Sequence, residues 1–111
     1  MKQSRRYDRS LRIDLKAVGR RIRELREEAG LTMEQLAYTS ELGSKGHLSN
    51  LEKGLVMPTV ATLETIAEGL GVLVADLVND PANGDRAKLI ELSRTARPAL
   101  VRRLVRELGA R

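Results

Sequence analysis

The sequence predicts an all-α fold, and three features carry that reading. Apolar residues recur every three or four positions through most of the chain, as one face of a helix requires. Glycines and capping residues punctuate these stretches at helix-length intervals. No stretch alternates apolar and polar residues with the period of two that a half-buried strand needs.

Residues 1–13 form a basic arm without a clear period. Asp14 is placed to cap a helix over about residues 15–29, with Leu15, Val18, Ile22, Leu25 and Ala29 as its apolar stripe and Gly30 as its stop. Thr32-Met33-Glu34-Gln35 reads as a capping box opening a short second helix that ends near Ser40. Residues 40–43 make a turn, and Ser44 caps a third helix whose buried edge is Leu48 and Leu51 and whose stop is Gly54. Pro58 and Thr59 open a fourth helix, with Val60, Leu63, Ile66, Ala67 and Leu70 expected on one buried face and Gly71 at the end. A fifth short turn of helix spans Val74–Val78. The run of turn formers in 79–84 reads as a linker, placing a domain over 14–79 with linker 80–84. Residues 85–111 are a helical extension, two stretches broken around Thr95–Pro98, with Pro98 suited to the first turn of the second.

At 111 residues and 12.3 kDa there is one domain's worth of chain. Apolar residues make up 41%, with two Tyr and neither Phe nor Trp, so the core is aliphatic. Cysteine is absent, which excludes disulfides, Cys-zinc sites and thiol catalysis, and one His cannot make a metal site. Neither a metal nor a cofactor is expected. No apolar run approaches a membrane span, and MKQSRRYDRS is no secretory signal, so a cytoplasmic protein without membrane contact is expected. Catalysis has no foothold: neither HExxH nor GxxxxGK[ST] occurs, and Gly69-Leu70-Gly71 is a helix end with no strand before it.

Charge is unevenly spread. Residues 1–30 carry ten basic and five acidic groups, residues 31–83 carry two and seven, and residues 84–111 carry eight and three. Two basic ends flank an acidic middle, so a polyanion would feel the ends at long range. Base-stacking RNA recognition wants aromatic platforms, which two tyrosines hardly supply.

Two short helices, a tight turn and a third helix with exposed polar residues make a helix-turn-helix. IRELREEAGLTMEQLA, then SKGHLSNLEKG, then PTVATLETIAEGLGV resembles the Xre family of bacterial and phage regulators, which includes lambda-type repressors and Cro proteins. The resemblance covers roughly residues 15–78. It implies a five-helix lambda-repressor-like domain between the basic arm and the helical extension. It also implies a transcriptional regulator that binds double-stranded DNA at an operator as a homodimer.

By that resemblance Lys45, Gly46, Ser49 and Asn50 fall at or beside base-reading positions, with Ser44, His47 and Lys53 on the same helix or its end. Thr32 and Met33 fall where the second helix meets the DNA backbone. Asn50 carries the amide for a bidentate contact with adenine, whereas His47 could meet a base, a phosphate or solvent alone. Arg26 and Glu52 match a structural ion pair of the family, and both flank core leucines. Arg5, Arg6, Arg9 and Arg12 of the arm are candidates for phosphate contacts.

The chain departs from the family pattern in four places. Met33 stands where Gln is common. The turn before the third helix has one extra residue, with Glu41 at the usual glycine and Gly43 added. The loop 55–57 lacks the usual cations, and Leu73 replaces a common Ser cap. The missing loop cations and the acidic middle leave a second reading open: a protein-interaction module, such as an antitoxin or anti-repressor partner built on the same fold. In the extension, Leu89, Leu92 and Ala96 share one face. Leu100, Val101, Leu104, Val105 and Leu108 make a broad second stripe. The expectation is a helical hairpin that dimerises the protein, against the alternative of folding back on its own chain.

Overall fold

The computed structural model describes residues 13–40 and 42–110. The arm positions Arg5, Arg6, Arg9 and Arg12, and Glu41 in the turn, lie outside the described residues. Seven helices are present among the described residues: α1 (Leu15–Glu28), α2 (Met33–Thr39), α3 (Lys45–Glu52), α4 (Val60–Leu70), α5 (Val74–Val78), α6 (Asp85–Thr95) and α7 (Pro98–Gly109). The chain divides into two units, one running to Val78 and the other starting at Asn79.

Helix boundaries follow local chemistry. The Asp14 carboxylate accepts the Lys16 amide at the head of α1. The Thr32 hydroxyl accepts the Gln35 amide at 3.1 Å while the Gln35 side chain accepts the Thr32 amide at 2.8 Å, so α2 opens on a reciprocal box. Ser44 accepts the His47 amide at 3.0 Å to open α3, and Thr59 accepts the Thr62 amide at 3.1 Å to open α4.

In the first unit, every helix contributes one fully buried aliphatic side chain: Ile22, Leu36, Leu48, Ile66 and Leu77 from α1 to α5 in turn. Burying each is worth roughly 1.5–3 kcal/mol, so no single helix dominates the core. Val60, expected on the buried face of α4, is instead 71% exposed. It occupies the first helical position, and side chains lean toward the helix N-terminus, so it overshoots the core that Leu63, Ile66 and Ala67 fill.

Two further contacts hold α5. Arg21, buried on α1, donates from Nε to the Asp76 carbonyl at 3.1 Å. Asp76 in turn accepts the Leu73 amide through Oδ2 at 2.9 Å. Leu73 has no side-chain acceptor for the first amides of α5, so only the reach-back half of a capping box, from the Asp76 carboxylate to the Leu73 amide, is made.

In the second unit, Asn79 donates from Nδ2 to the Ala87 carbonyl at 2.9 Å and ties the turn to α6. Ala96, extended, and Arg97 join α6 to α7, and Pro98 takes the first turn of α7. Ala87 is the one buried residue of α6, and α7 has none. Leu89 and Leu92 of α6 and Val105 and Leu108 of α7 are exposed, whereas Val101 and Leu104 are half-buried.

Candidate nucleic-acid interface

The site is organised by how α3 is held. Leu48 and Leu51 enter the core and fix one side of the helix. At its C-terminal end, Glu52 meets Arg26 of α1 in a two-pronged bond: Nε donates to Oε2 at 2.7 Å and Nη2 to Oε1 at 3.1 Å. The third prong of the guanidinium, Nη1, donates to the Leu31 carbonyl at 2.8 Å in the α1–α2 turn. Both side chains are buried. The bond to Glu52 raises the Arg26 pKa above its ordinary value, against the burial that lowers it. One arginine therefore ties α1, the following turn and α3 together.

Gly19 makes this register possible. A Cβ there would collide with the Glu52 carbonyl oxygen and lie 2.6 Å from that of Leu51. The α1 backbone can lie against the end of α3 only because that position is bare. A second glycine shapes the turn into α3. Gly43 adopts φ +84°, a conformation that L side chains rarely take, while Leu42 packs half-buried against the core with its amide on the Ala37 carbonyl at 3.1 Å.

With one side and one end fixed, α3 presents its other side. Gly46, Asn50 and Lys53 recur at helical spacing opposite the buried leucines, with Ser49 beside them and Lys45 at the flank. Lys45, Gly46, His47, Asn50 and Lys53 are exposed, as is Ser44 at the cap; Ser49 is half-buried. No hydrogen bond within the described residues engages the Asn50 carboxamide or the His47 ring. A Cβ at Gly46 would find nothing nearer than the Ser44 hydroxyl at 4.0 Å, so bare backbone is open to close approach there. At the head of α2, Thr32 is exposed and spends its hydroxyl on the capping box, whereas Met33 is half-buried against the core. The structure thus assembles Ser44, Lys45, Gly46, His47, Asn50 and Lys53 on one exposed helix, and turns Met33 partly away.

Sequence reasoning missed Glu34 and Gly19, which shape this site, and Arg21, which holds α5. Glu34, in the first turn of α2, sits 3.5 Å from the Lys45 ammonium, so that cation is already paired. An isolated glycine inside an amphipathic stripe was the available signal for Gly19. Nothing local marked the other two. Among the described residues no cluster of three His, Cys, Asp or Glu could hold a metal ion, and no helix is long and apolar enough to cross a membrane.

Residues 17–79 match a family described as a helix-turn-helix domain. The HTH-type transcriptional regulator DdrOP3 of Deinococcus deserti is 40% identical over 58 residues, 52% of this chain and 44% of that protein. The immunity repressor protein of Bacillus phage phi105 is 38% identical over 63 residues, 57% of this chain and 43% of that protein. This chain therefore spans less than half the length of either relative. The solved restriction-modification controller protein C.AhdI of Aeromonas hydrophila superposes with a TM-score of 0.56 at 31% identity, covering 58% of this chain and 96% of that one.

Proposed function

Since the chain belongs to the helix-turn-helix domain family over residues 17–79, we propose that it acts as an Xre-type regulator, recognising a specific operator on double-stranded DNA and regulating transcription by occupying it. The observation that carries the reading is the asymmetry of α3: locked to α1 through Arg26 and Glu52, bare and polar on the side away from the core. A helix held this way can enter the major groove without losing its orientation.

In this reading Asn50 makes a paired donor–acceptor contact with adenine, and Lys45 meets guanine or a phosphate. Ser44, Ser49 and His47 supply shorter polar contacts, and bare Gly46 allows the helix to approach closely. The first amides of α2 and α3, beside Thr32, Met33 and Lys45, receive phosphates with help from the helix dipoles. Lys53 and the arm residues Arg5, Arg6, Arg9 and Arg12 neutralise phosphates without regard to sequence. A homodimer would set two recognition helices about 34 Å apart, matched to a two-fold site.

A second reading draws on the loop after α3, where Leu55 and Met57 are exposed and no cation is present. That surface suits a protein partner held by the same domain. Genome-wide footprinting in the host organism tests both. Discrete sites sharing a two-fold motif support the regulator. Even occupancy, or none, together with a stoichiometric co-purifying protein, favours the interaction module.

A further inference from the structure

Among the described residues of the second unit, the apolar faces of α6 and α7 form no closed core. Leu89 and Leu92 of α6, with Leu100, Leu104, Val105 and Leu108 of α7, line one open groove of about 580 Å³. Val105 and Leu108 are 64% and 63% exposed. On the other side of α7 stand Arg102, Arg103 and Arg106, and Arg103 spends its charge on Glu107 at 2.9 Å. No charged side chain lines the groove. The helices are 11 and 12 residues long, too short to be held by their own hydrogen bonding.

We infer that a second copy of this chain occupies the groove, with α7 of each copy seated between α6 and α7 of the other about a two-fold axis. The inference rests on the dimeric regulator reading and names the surface that makes the dimer. Area is the first argument. Leu89, Ile90, Leu92, Leu100, Val105 and Leu108 are each 40–64% exposed, which for side chains of this size leaves roughly 500 Å² of apolar surface per copy, at the upper end of what a monomer's largest patch shows. Two copies together withdraw about 1,000 Å² from water, the threshold for a specific interface.

Shape and charge are the second argument. The occupant must present an apolar stripe as wide as the groove and carry no charge at its centre. The groove face of α7 meets both conditions, and a two-fold contact requires a surface to be its own complement. Residues 85–110 hold seven cations and three acids, so the charges of both copies stay at the rim and repel weakly. Added salt therefore tightens the dimer by screening that repulsion, while it weakens binding to DNA.

The chain has no cysteine, so single cysteines report cleanly on proximity. In the full chain without DNA, cysteines placed in turn at Val101, Leu104, Val105 and Leu108 are oxidised under mild conditions beside Arg102→Cys and Arg106→Cys. Cross-linked dimer is expected to concentrate in the groove-facing set. Light scattering at roughly tens of micromolar, a working range for stable dimers, gives twice the 12.3 kDa chain mass. Leu104→Asp returns it to one chain mass, whereas Leu55→Asp on the other unit leaves the dimer intact. A monomeric wild type, equal cross-linking of both sets, or a dimer broken only by Leu55→Asp overturns the inference. So does a monomer that takes up an acidic amphipathic helix from another protein in the groove. Because DNA is absent, a protein that dimerises here yet binds no operator refutes the regulator and leaves this interface standing.

Discussion

The two ends of α3 are built on opposite principles. At the C-terminal end, Glu52 is buried and bonded twice to Arg26, and the backbone lies against bare Gly19. At the N-terminal end, Ser44 supplies one cap and the nearest ion pair, Glu34 to Lys45, stands in solvent with its side chains 68% and 58% exposed. The first arrangement is costly to disturb because a buried charge cannot be left alone. The second is cheap to disturb because water replaces whatever is lost. Positional rigidity and adaptable contact are thus supplied by different ends of one eight-residue helix.

If that contrast holds, Glu52→Ala has the largest effect. It strands the Arg26 guanidinium in the interior and is expected to destabilise the first unit by about 3 kcal/mol. Urea titration followed by helix signal checks this, and exchanging the two charges is expected to recover part of the loss. Gly19→Ala comes next, at roughly 1–3 kcal/mol, because the added methyl must push α1 off the α3 carbonyls. Thermal melts would show it, and a neutral result would mean the two backbones are not in contact.

At the other end, Ser44→Ala removes a single cap and is expected to cost about 1 kcal/mol of stability. Smallest of all, Glu34→Ala should change stability by less than about 1 kcal/mol. Its effect should surface instead as tighter binding to every duplex, since Lys45 is released to meet phosphate. A Glu34→Ala loss as large as that of Glu52→Ala would erase the distinction between the two ends.

Much of the local architecture was legible in the sequence. The Thr32–Gln35 box and the Ser44 and Thr59 caps are written in neighbouring residues, and their bonds need only a few positions of chain. Arg26 and Glu52 could be paired across 26 positions because both flank core leucines and match a family pattern. What was not legible depends on contacts between distant elements. Nothing near Gly19 in the chain announces the carbonyls of Leu51 and Glu52. Nothing near Arg21 announces the Asp76 carbonyl. Val60 followed the helical period yet lies past the end of the core, because periodicity gives the face of a helix and not how far the core extends along it. On the interface, the polar face of α3 could be read from spacing, but the proximity of Glu34 to Lys45 required the turn between α2 and α3 to be folded.

The measurement that bears most directly on the central claim is a paired titration. Wild type and Asn50→Ala are titrated, at one salt concentration, into a duplex recovered by footprinting and into a random duplex of equal length. Wild type is expected to prefer the recovered site by about 10³-fold or more. Asn50→Ala is expected to lose about 1–3 kcal/mol on that site alone, with random-duplex affinity unchanged. Equal wild-type affinity for both duplexes, or equal losses on both from Asn50→Ala, would contradict recognition of DNA sequence by the exposed face of α3.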